Sequence, residues 1–437
     1  LVEKAIAEEP VSEEHKTLIE AVKAEYEEFK KTDKTLFDSA NWFALQTWNG
    51  GDKAANLNMV KLFASKAYEG LKWLQSMGME FHPEISTGAG SLYMRTHSAI
   101  LPNGSGYIQT LYQEGLKHEN LKIMMETTGK SLIIENGRVV GVNAVTKNGG
   151  EVVLKATKGV ILTTGGFAGN VELRQQYCQG EKWPNLGKEV PTSNVSGVTG
   201  DGIFMARDAG AELVNMSSIQ LLPYCHPKTG ATYDICYPSM NGIFVNREGK
   251  RFVREDGRRD VMSKAIIDQT EGYMHIVFSA DFLPDGDESK GQMLGGHSLK
   301  YYLDNQLSGY VKGETIEDLA KAIGVPADAL KETIANFNKS FDEAKDEFGR
   351  VTYKFKLEKG PFYAYPRKPA VHHTMGGVNV DEGARALNTE GKPIPGLYCA
   401  GEITGNLHGL NRLGGNAIVD FVVFGRIAGT SVVEDNK

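Results

Sequence analysis

Apolar residues recur at helical spacing near the start of the chain. Leu18, Ile19, Val22, Tyr26 and Phe29 stand among acids and lysines, which predicts an amphipathic surface helix over residues 13–31. A second helix is predicted over 57–77, stopped by Gly78. The period then changes. Residues 130–134, the turn Glu135-Asn136-Gly137 and residues 138–142 predict a hairpin, because Asn-Gly accepts the left-handed backbone that a two-residue turn needs. Strands follow over 151–156 and 159–162, the second closing on Thr163-Thr164-Gly165-Gly166-Phe167. Small residues there let backbone approach a ligand closely, or simply make a tight turn. A helix is predicted over 203–209. From 217 to 373 the texture is turn-rich, with few long apolar runs and a helical pair over 315–323 and 327–344 separated by Pro326. Sheet-like segments return at 377–380 and 396–400, before a final helix over 416–433. The pattern therefore predicts an α/β domain, 1–216 and 374–437, interrupted by an inserted α+β domain, 217–373.

Length agrees with that division, since 437 residues exceed one ordinary core. A formal charge of -7 with no basic run argues against nucleic acid or a membrane surface as partner. Cys178, Cys225, Cys236 and Cys399 are widely spaced, which predicts structural thiols, no disulfide framework and no haem attachment. No apolar stretch reaches the ~20 residues of a membrane span, no signal peptide opens the chain, and the histidines show no metal-ligand spacing.

The chemistry concentrates near the end: His372-His373-Thr374-Met375-Gly376-Gly377, then Gly401-Glu402, then His408-Gly409-Leu410-Asn411-Arg412-Leu413-Gly414-Gly415-Asn416-Ala417. Two histidines, an arginine and paired glycines opening an apolar run suggest an anion held against a helix start. This ordered set resembles the fumarate reductase and succinate dehydrogenase flavoprotein family, most closely its soluble flavocytochrome c-like reductases of conjugated carboxylic acids. The resemblance covers nearly the whole chain. It implies an FAD-binding domain of dinucleotide type with a capping domain inserted. It also implies FAD contacts from Thr163, Thr164, Gly165, Gly166, Asp201, His373, Gly401, Glu402, Gly415, Ala417 and Ile418. The strand with its G-x-G-x-x-G turn that normally opens such a domain does not occur before the helix over 57–77, so the native polypeptide is expected to extend upstream of Leu1.

By motif, the resemblance puts the carboxylate clamp on His372 and Arg412. It puts the proton donor on Arg259, at the end of the run Phe244-Val245-Asn246-Arg247-Glu248-Gly249-Lys250-Arg251-Phe252-Val253-Arg254-Glu255-Asp256-Gly257-Arg258-Arg259. Taken alone, Arg258 and Arg259 could also be surface cations beside Asp256 and Asp260, the lesser reading given the surrounding match. The implied reaction is reduction of a carbon-carbon double bond conjugated to a carboxylate. The positions that would hold a second carboxylate and relay protons in fumarate reductase fall, without gaps, on Leu222, Asp234, Ile235 and Pro238. Those residues argue against a dicarboxylate. They suggest an aryl or imidazolyl acrylate, with Asp234 pairing an imidazolium or Tyr224, Tyr233 or Tyr237 stacking on an aryl ring. Thr374 completes the expected substrate contacts, and Glu255, Asp256 and Arg258 are candidate relay groups.

Other readings stay open: a fumarate reductase, a ketosteroid-type flavin dehydrogenase, or a non-catalytic fragment unable to hold FAD. The electron donor, of haem or FMN type, is expected outside these residues. The compartment, bacterial cytoplasm or exported and periplasmic, stays open as well.

Overall fold

Helix starts in this protein are set by side chains that accept from otherwise orphaned backbone N–H groups. In the computed structural model, which describes residues 1–435 apart from 89, 103, 179–181, 184 and 237–241, Ser12 caps α1 (Glu13–Phe29) by accepting from the His15 amide at 3.1 Å. Ser39 and Asn56 do the same for α2 (Ala40–Gly50) and α3 (Leu57–Ser76). Leu18, Ile19 and Val22 form the buried stripe of α1, as their spacing requires. The helix α2 is an addition to the elements that periodicity predicts. It is buried on several sides, from Trp42 to Trp48, so it carries no amphipathic signal.

Strands β1 (Thr127–Glu135), β2 (Arg138–Thr146) and β3 (Glu151–Lys155) form an antiparallel meander. Asn136 and Gly137, with φ of 52° and 76°, make the turn between the first two. The next strand, β4 (Val160–Leu162), is parallel to a strand near the C-terminus described below, and α4 (Asp201–Asp208) follows.

The middle of the chain departs most from expectation. In place of a turn-rich texture it holds a five-stranded antiparallel sheet, from β5 (Ile219–Cys225), β6 (Ile243–Val245), β7 (Met274–Ser279), β8 (Val311–Gly313) and the 13-residue β9 (Phe362–Thr374). β7 and most of β9 are buried on both faces, so neither shows the alternation by which strands are read. Helix α5 (Arg259–Ile267) packs against β5 and β9. Helices α6 (Ile316–Ile323) and α7 (Ala327–Glu343) follow, the first opened by a capping box of Thr315 and Asp318. After β9, β10 (Arg385–Leu387) pairs with β11 (Pro393–Cys399), which lies parallel to β4. The chain ends in α8 (Asn416–Glu434).

Two cores result. One gathers side chains up to Leu221 and again from Val371 onward; the other runs from Leu222 to Ala370. The passage between them is no loop. β9 runs through it unbroken, paired with β5, with Val371 opposite Leu221 on one side of the boundary and Ala370 opposite Leu222 on the other. By length and composition α8 is the single helix among the described residues that could cross a membrane. It instead packs on α3 and β11 and buries Val423, Phe424 and Ala428 in the first core.

Candidate functional site

Three of the residues singled out by sequence meet where the two cores touch. Arg259 is the first residue of α5 and 8% exposed; Arg412, in the loop before α8, is 5% exposed. His372, on β9, lies beside both. Burial, then the charges of Arg259 and Arg412, hold its imidazole well below its ordinary value, so it is neutral at neutral pH. Its Nδ1 lies 2.6 Å from the Ser193 hydroxyl, which orients the ring. Burial and then Arg259 likewise push the Arg412 guanidinium below its usual range. Arg412 Nη1 donates to its neighbour's carbonyl, at Leu413, while its Nε is buried without a hydrogen-bond partner. Among the described residues Arg412 forms no ion pair. A buried cation in that state is costly; the charges of Glu402 and Asp420 offset part of the cost from beyond ion-pair distance, and an anion in direct contact would offset more.

Strand β5 supplies the wall. The Gln220 amide donates to Arg412 O at 2.7 Å and to Asn411 Oδ1 at 3.0 Å, and its oxygen accepts from Arg259 Nη1 at 3.3 Å. One glutamine thus ties both arginines. The Tyr224 hydroxyl is hydrogen-bonded to Arg259; burial raises its ordinary value, against the pull of that cation. Leu222, between the two along the strand, belongs to the second core. Sequence supplied no signal for Gln220 or Ser193 beyond their neighbourhood. Gly90 closes another side: its φ is +74°, its carbonyl accepts from the Gly414 amide at 2.8 Å, and a Cβ there would lie 2.6 Å from Arg259 Nε.

Other expected contacts lie elsewhere. Asp234 does not stand as an open acid: at 1% exposure it pairs with the fully buried Arg367 at 3.2 Å, and Arg367 also stacks on Tyr365 at 4.3 Å. The Thr374 hydroxyl donates to Glu402 and accepts from the Phe167 amide. Tyr233 is 55% exposed, and Tyr237 and Pro238 lie outside the described residues. Of the candidate relay groups, Glu255 is held by Arg251 and Arg350. Asp256 accepts from Arg254 and from the amides of Val351 and Thr352. Arg258 is paired with Asp52 and Asp260.

The expected cofactor residues fall into three places. Gly415, Ala417 and Ile418 form the start of α8. Gly415 has a φ of +84° and no side chain caps the helix; the Asn416 and Ile418 amides donate to the carbonyls of Leu413 and Gly415, which leaves the Ala417 N–H and the positive helix end for an anion. They adjoin a cavity of about 530 Å³ lined by Phe43, Arg95, Tyr107, Gly415, Ile418 and Val422 among others. A second group packs on itself: Glu402 takes His373 Nδ1 at 3.2 Å, and a Cβ on Gly166 would collide with Thr374 Oγ1 and Glu402. Protein atoms fill the space a Cβ on Gly166 would need, which by itself requires glycine there. Gly401, at φ +81°, turns the chain just before Glu402. Thr163, Thr164 and Asp201 are exposed at the end of β4 and the start of α4, beside Gly165 at φ +80°. No group of three or more His, Cys, Asp or Glu among the described residues could hold a metal.

A mixed α/β fold with an open helix start beside a large cleft, and with buried cations at the seam of two cores, defines a dinucleotide-type flavoprotein. The family model for the FAD binding domain matches residues 30–418, and the chain belongs to that family, whose cofactor is FAD. It is 37% identical over 432 residues to an NADH:acrylate oxidoreductase of Vibrio harveyi, covering 96% of this chain and 42% of that protein. To a urocanate reductase of Eggerthella lenta it is 35% identical over 410 residues, covering 92% and 66%. Among solved structures, the open conformation of a flavocytochrome c3 fumarate reductase aligns with a TM-score of 0.70 at 30% identity, covering 92% of this chain and 68% of that one. The chain thus spans less than two thirds of the length of these two curated relatives. The positive start of α8, with the Ala417 N–H, and the adjoining cavity fit the anionic edge of a reduced flavin.

Proposed function

We propose that this protein takes part in FAD-dependent reduction of the double bond of an α,β-unsaturated carboxylate. The observation that carries the reading is the buried guanidinium of Arg412, without an ion-pair partner among the described residues, beside Arg259 and a neutral His372. Such a pocket takes one carboxylate. Arg412 and His372 would bind it as cation and neutral donor, and their hold would tighten as negative charge grows on it along the reaction. FAD, when bound and reduced, supplies the hydride. Arg259, fixed by Gln220 and Tyr224, would present an N–H proton to the neighbouring carbon. A free arginine is a poor acid, so the guanidinium must regain its proton from a connected group, and the Tyr224 hydroxyl is placed for that exchange. The Gly415, Ala417 and Ile418 backbone would hold the flavin edge, with His373, Gly401 and Glu402 along it and Thr163, Thr164, Gly165 and Asp201 farther out. The segment of the second core would cap the site, and electrons would come from a donor outside this chain.

The far end of the substrate meets Leu222, with no second cation offered. Asp234 and Arg367 neutralise each other, so a charged tail finds no open partner there, and the reading now favours an uncharged tail. Acrylate itself or a hydroxycinnamate-type acrylate fits better than fumarate, and urocanate fits best with its imidazole neutral. The relatives are named for acrylate, urocanate and fumarate, so their names support a conjugated carboxylate as the shared feature and leave the far end of the substrate to the residues of this chain.

The test is anaerobic turnover of FAD-loaded protein with reduced viologen against acrylate, a hydroxycinnamate, urocanate and fumarate. Monocarboxylates should be reduced and fumarate should lag. Arg259→Lys should lower kcat by at least ~100-fold with little change in KM, because only the transition state loses its contact. Near-full activity in that variant would sink the role of Arg259.

A further inference from the structure

The two arginines of the site come from different parts of the chain, and a single turn touches the holders of both. α2 ends at Gly50, and Asp52 and Lys53 then adopt φ of +58° each, a left-handed backbone uncommon outside glycine. This turn is stitched to the loop that carries Arg412. The Leu410 amide donates to Gly51 O at 3.0 Å, and Asn411 Nδ2 donates to Gly50 O at 3.1 Å. A Cβ on Gly51 would lie 2.5 Å from the His408 carbonyl oxygen, so the two backbones are in direct contact. From the same turn the Asp52 carboxylate reaches the guanidinium of Arg258 with both oxygens, at 2.6 and 2.9 Å. Arg258 is the residue just before Arg259 and the N-cap of α5.

A second arm runs parallel. Arg258 donates to both oxygens of Asp260, Asp260 pairs with Lys182 at 3.0 Å, and Lys182 Nζ reaches the carbonyl of Leu410 at 3.5 Å. Arg259 therefore sits between two residues that are both tied to the Arg412 loop. A two-point fork from Arg258 to Asp52 fixes direction as well as distance, which a single contact would not.

We propose that Asp52 is a positioning residue: through Arg258 it sets the place of Arg259 relative to Arg412. This rests on the reaction proposed above, in which the proton donor must meet a carbon whose carboxylate is already clamped. Misplacement of a reacting group by about 1 Å can cost about 100-fold in rate, so a surface pair remote from the substrate can govern turnover. The Arg258 and Asp52 side chains are 29% and 37% exposed, which leaves the pair open to screening by salt.

The experiment uses the full chain loaded with FAD and whichever enoate it reduces. Asp52→Asn keeps a residue tolerant of the left-handed turn while removing the anion; Arg258→Lys keeps the charge while removing the fork. Each should lower kcat about tenfold, with KM held within about twofold because Arg412 and His372 still bind the carboxylate. The combined variant should be no slower than the worse single one. Amides of residues 259–267 should exchange faster with deuterium in Asp52→Asn. Glu69→Gln, which removes a comparable exposed pair with Arg426, should change none of these. Turnover within twofold of the parent in both single variants overturns the proposal, as does a loss that Glu69→Gln reproduces. If the parent reduces no enoate, the proposed reaction falls instead, and unchanged exchange in 259–267 then overturns the positioning role on its own.

Discussion

Replacing Arg367 by Met tests whether the charge of Asp234 is already answered inside the second core. The Arg367 and Asp234 side chains are 0% and 1% exposed and meet at 3.2 Å, with a further contact from Arg367 Nη2 to the Asp234 carbonyl at 3.1 Å. Removing the guanidinium strands a carboxylate in the second core, and breaking such a buried pair costs about 3–5 kcal/mol. Asp234→Asn should cost less, about 2 kcal/mol, because Arg367 keeps two carbonyl acceptors and the face of Tyr365. The double variant should lose about 2 kcal/mol less than the sum of the two single losses, since neither charge is then left alone. Urea unfolding followed by tryptophan fluorescence and circular dichroism reads all three. Enoate selectivity is the functional arm: Asp234→Asn should leave the urocanate to hydroxycinnamate ratio of kcat/KM unchanged. A loss below about 1 kcal/mol in Arg367→Met, or a selective loss of urocanate turnover in a stable Asp234→Asn protein, would show that Asp234 faces the ligand and refute the pairing argument.

His275 sits on β7, with Nδ1 buried and unpartnered, and burial followed by Arg247 pushes its imidazole down to about 4. The unfolded chain binds that proton near 6.5 and the folded one does not. Stability is thus fully present above pH 6.5 and falls as pH drops toward 4, by about 2 kcal/mol between pH 7 and pH 5. His275→Gln should flatten that slope in urea midpoints, and an unchanged slope would contradict the assignment. Gly90→Ala should lower kcat more than it changes KM, because the new methyl must displace Arg259. Gly78→Ala, also at positive φ (+89°) but with nothing within 4 Å, should cost only backbone strain, ~1–2 kcal/mol of stability. Equal kinetic effects from the two would remove Gly90 from the site.

Local patterns were legible where one face of an element meets water. The stripe of α1, the Asn136-Gly137 hairpin, the helices flanking Pro326 and the start of α8 were all readable, with helix ends differing by a residue or two and the hairpin strands running three or four residues beyond their pattern at the outer ends. The middle sheet was not, because β5, β7 and β9 are covered on nearly every side and lose the period-two signal. The site divides in the same way. His372, Arg412 and Arg259 belong to ordered local motifs, so their meeting could be anticipated. Gln220, Ser193, Gly90 and Arg367 act through contacts across long stretches of chain that no local pattern encodes. Asp234 shows the hazard: as a lone acid in sequence it invites a ligand, and only its neighbour from β9 reveals that its charge is already answered.

The unbroken passage of β9 alongside β5 bears on the order in which the protein forms. Leu221 and Val371 face each other across that ribbon with about 150 residues of chain between them, and closing so long a loop costs ~2 kcal/mol more than closing one a tenth as long. The intervening segment has a contiguous core of its own. Were that core to collapse first, the two strands would leave it side by side, and the first core would receive its two halves already paired at Leu221 and Val371.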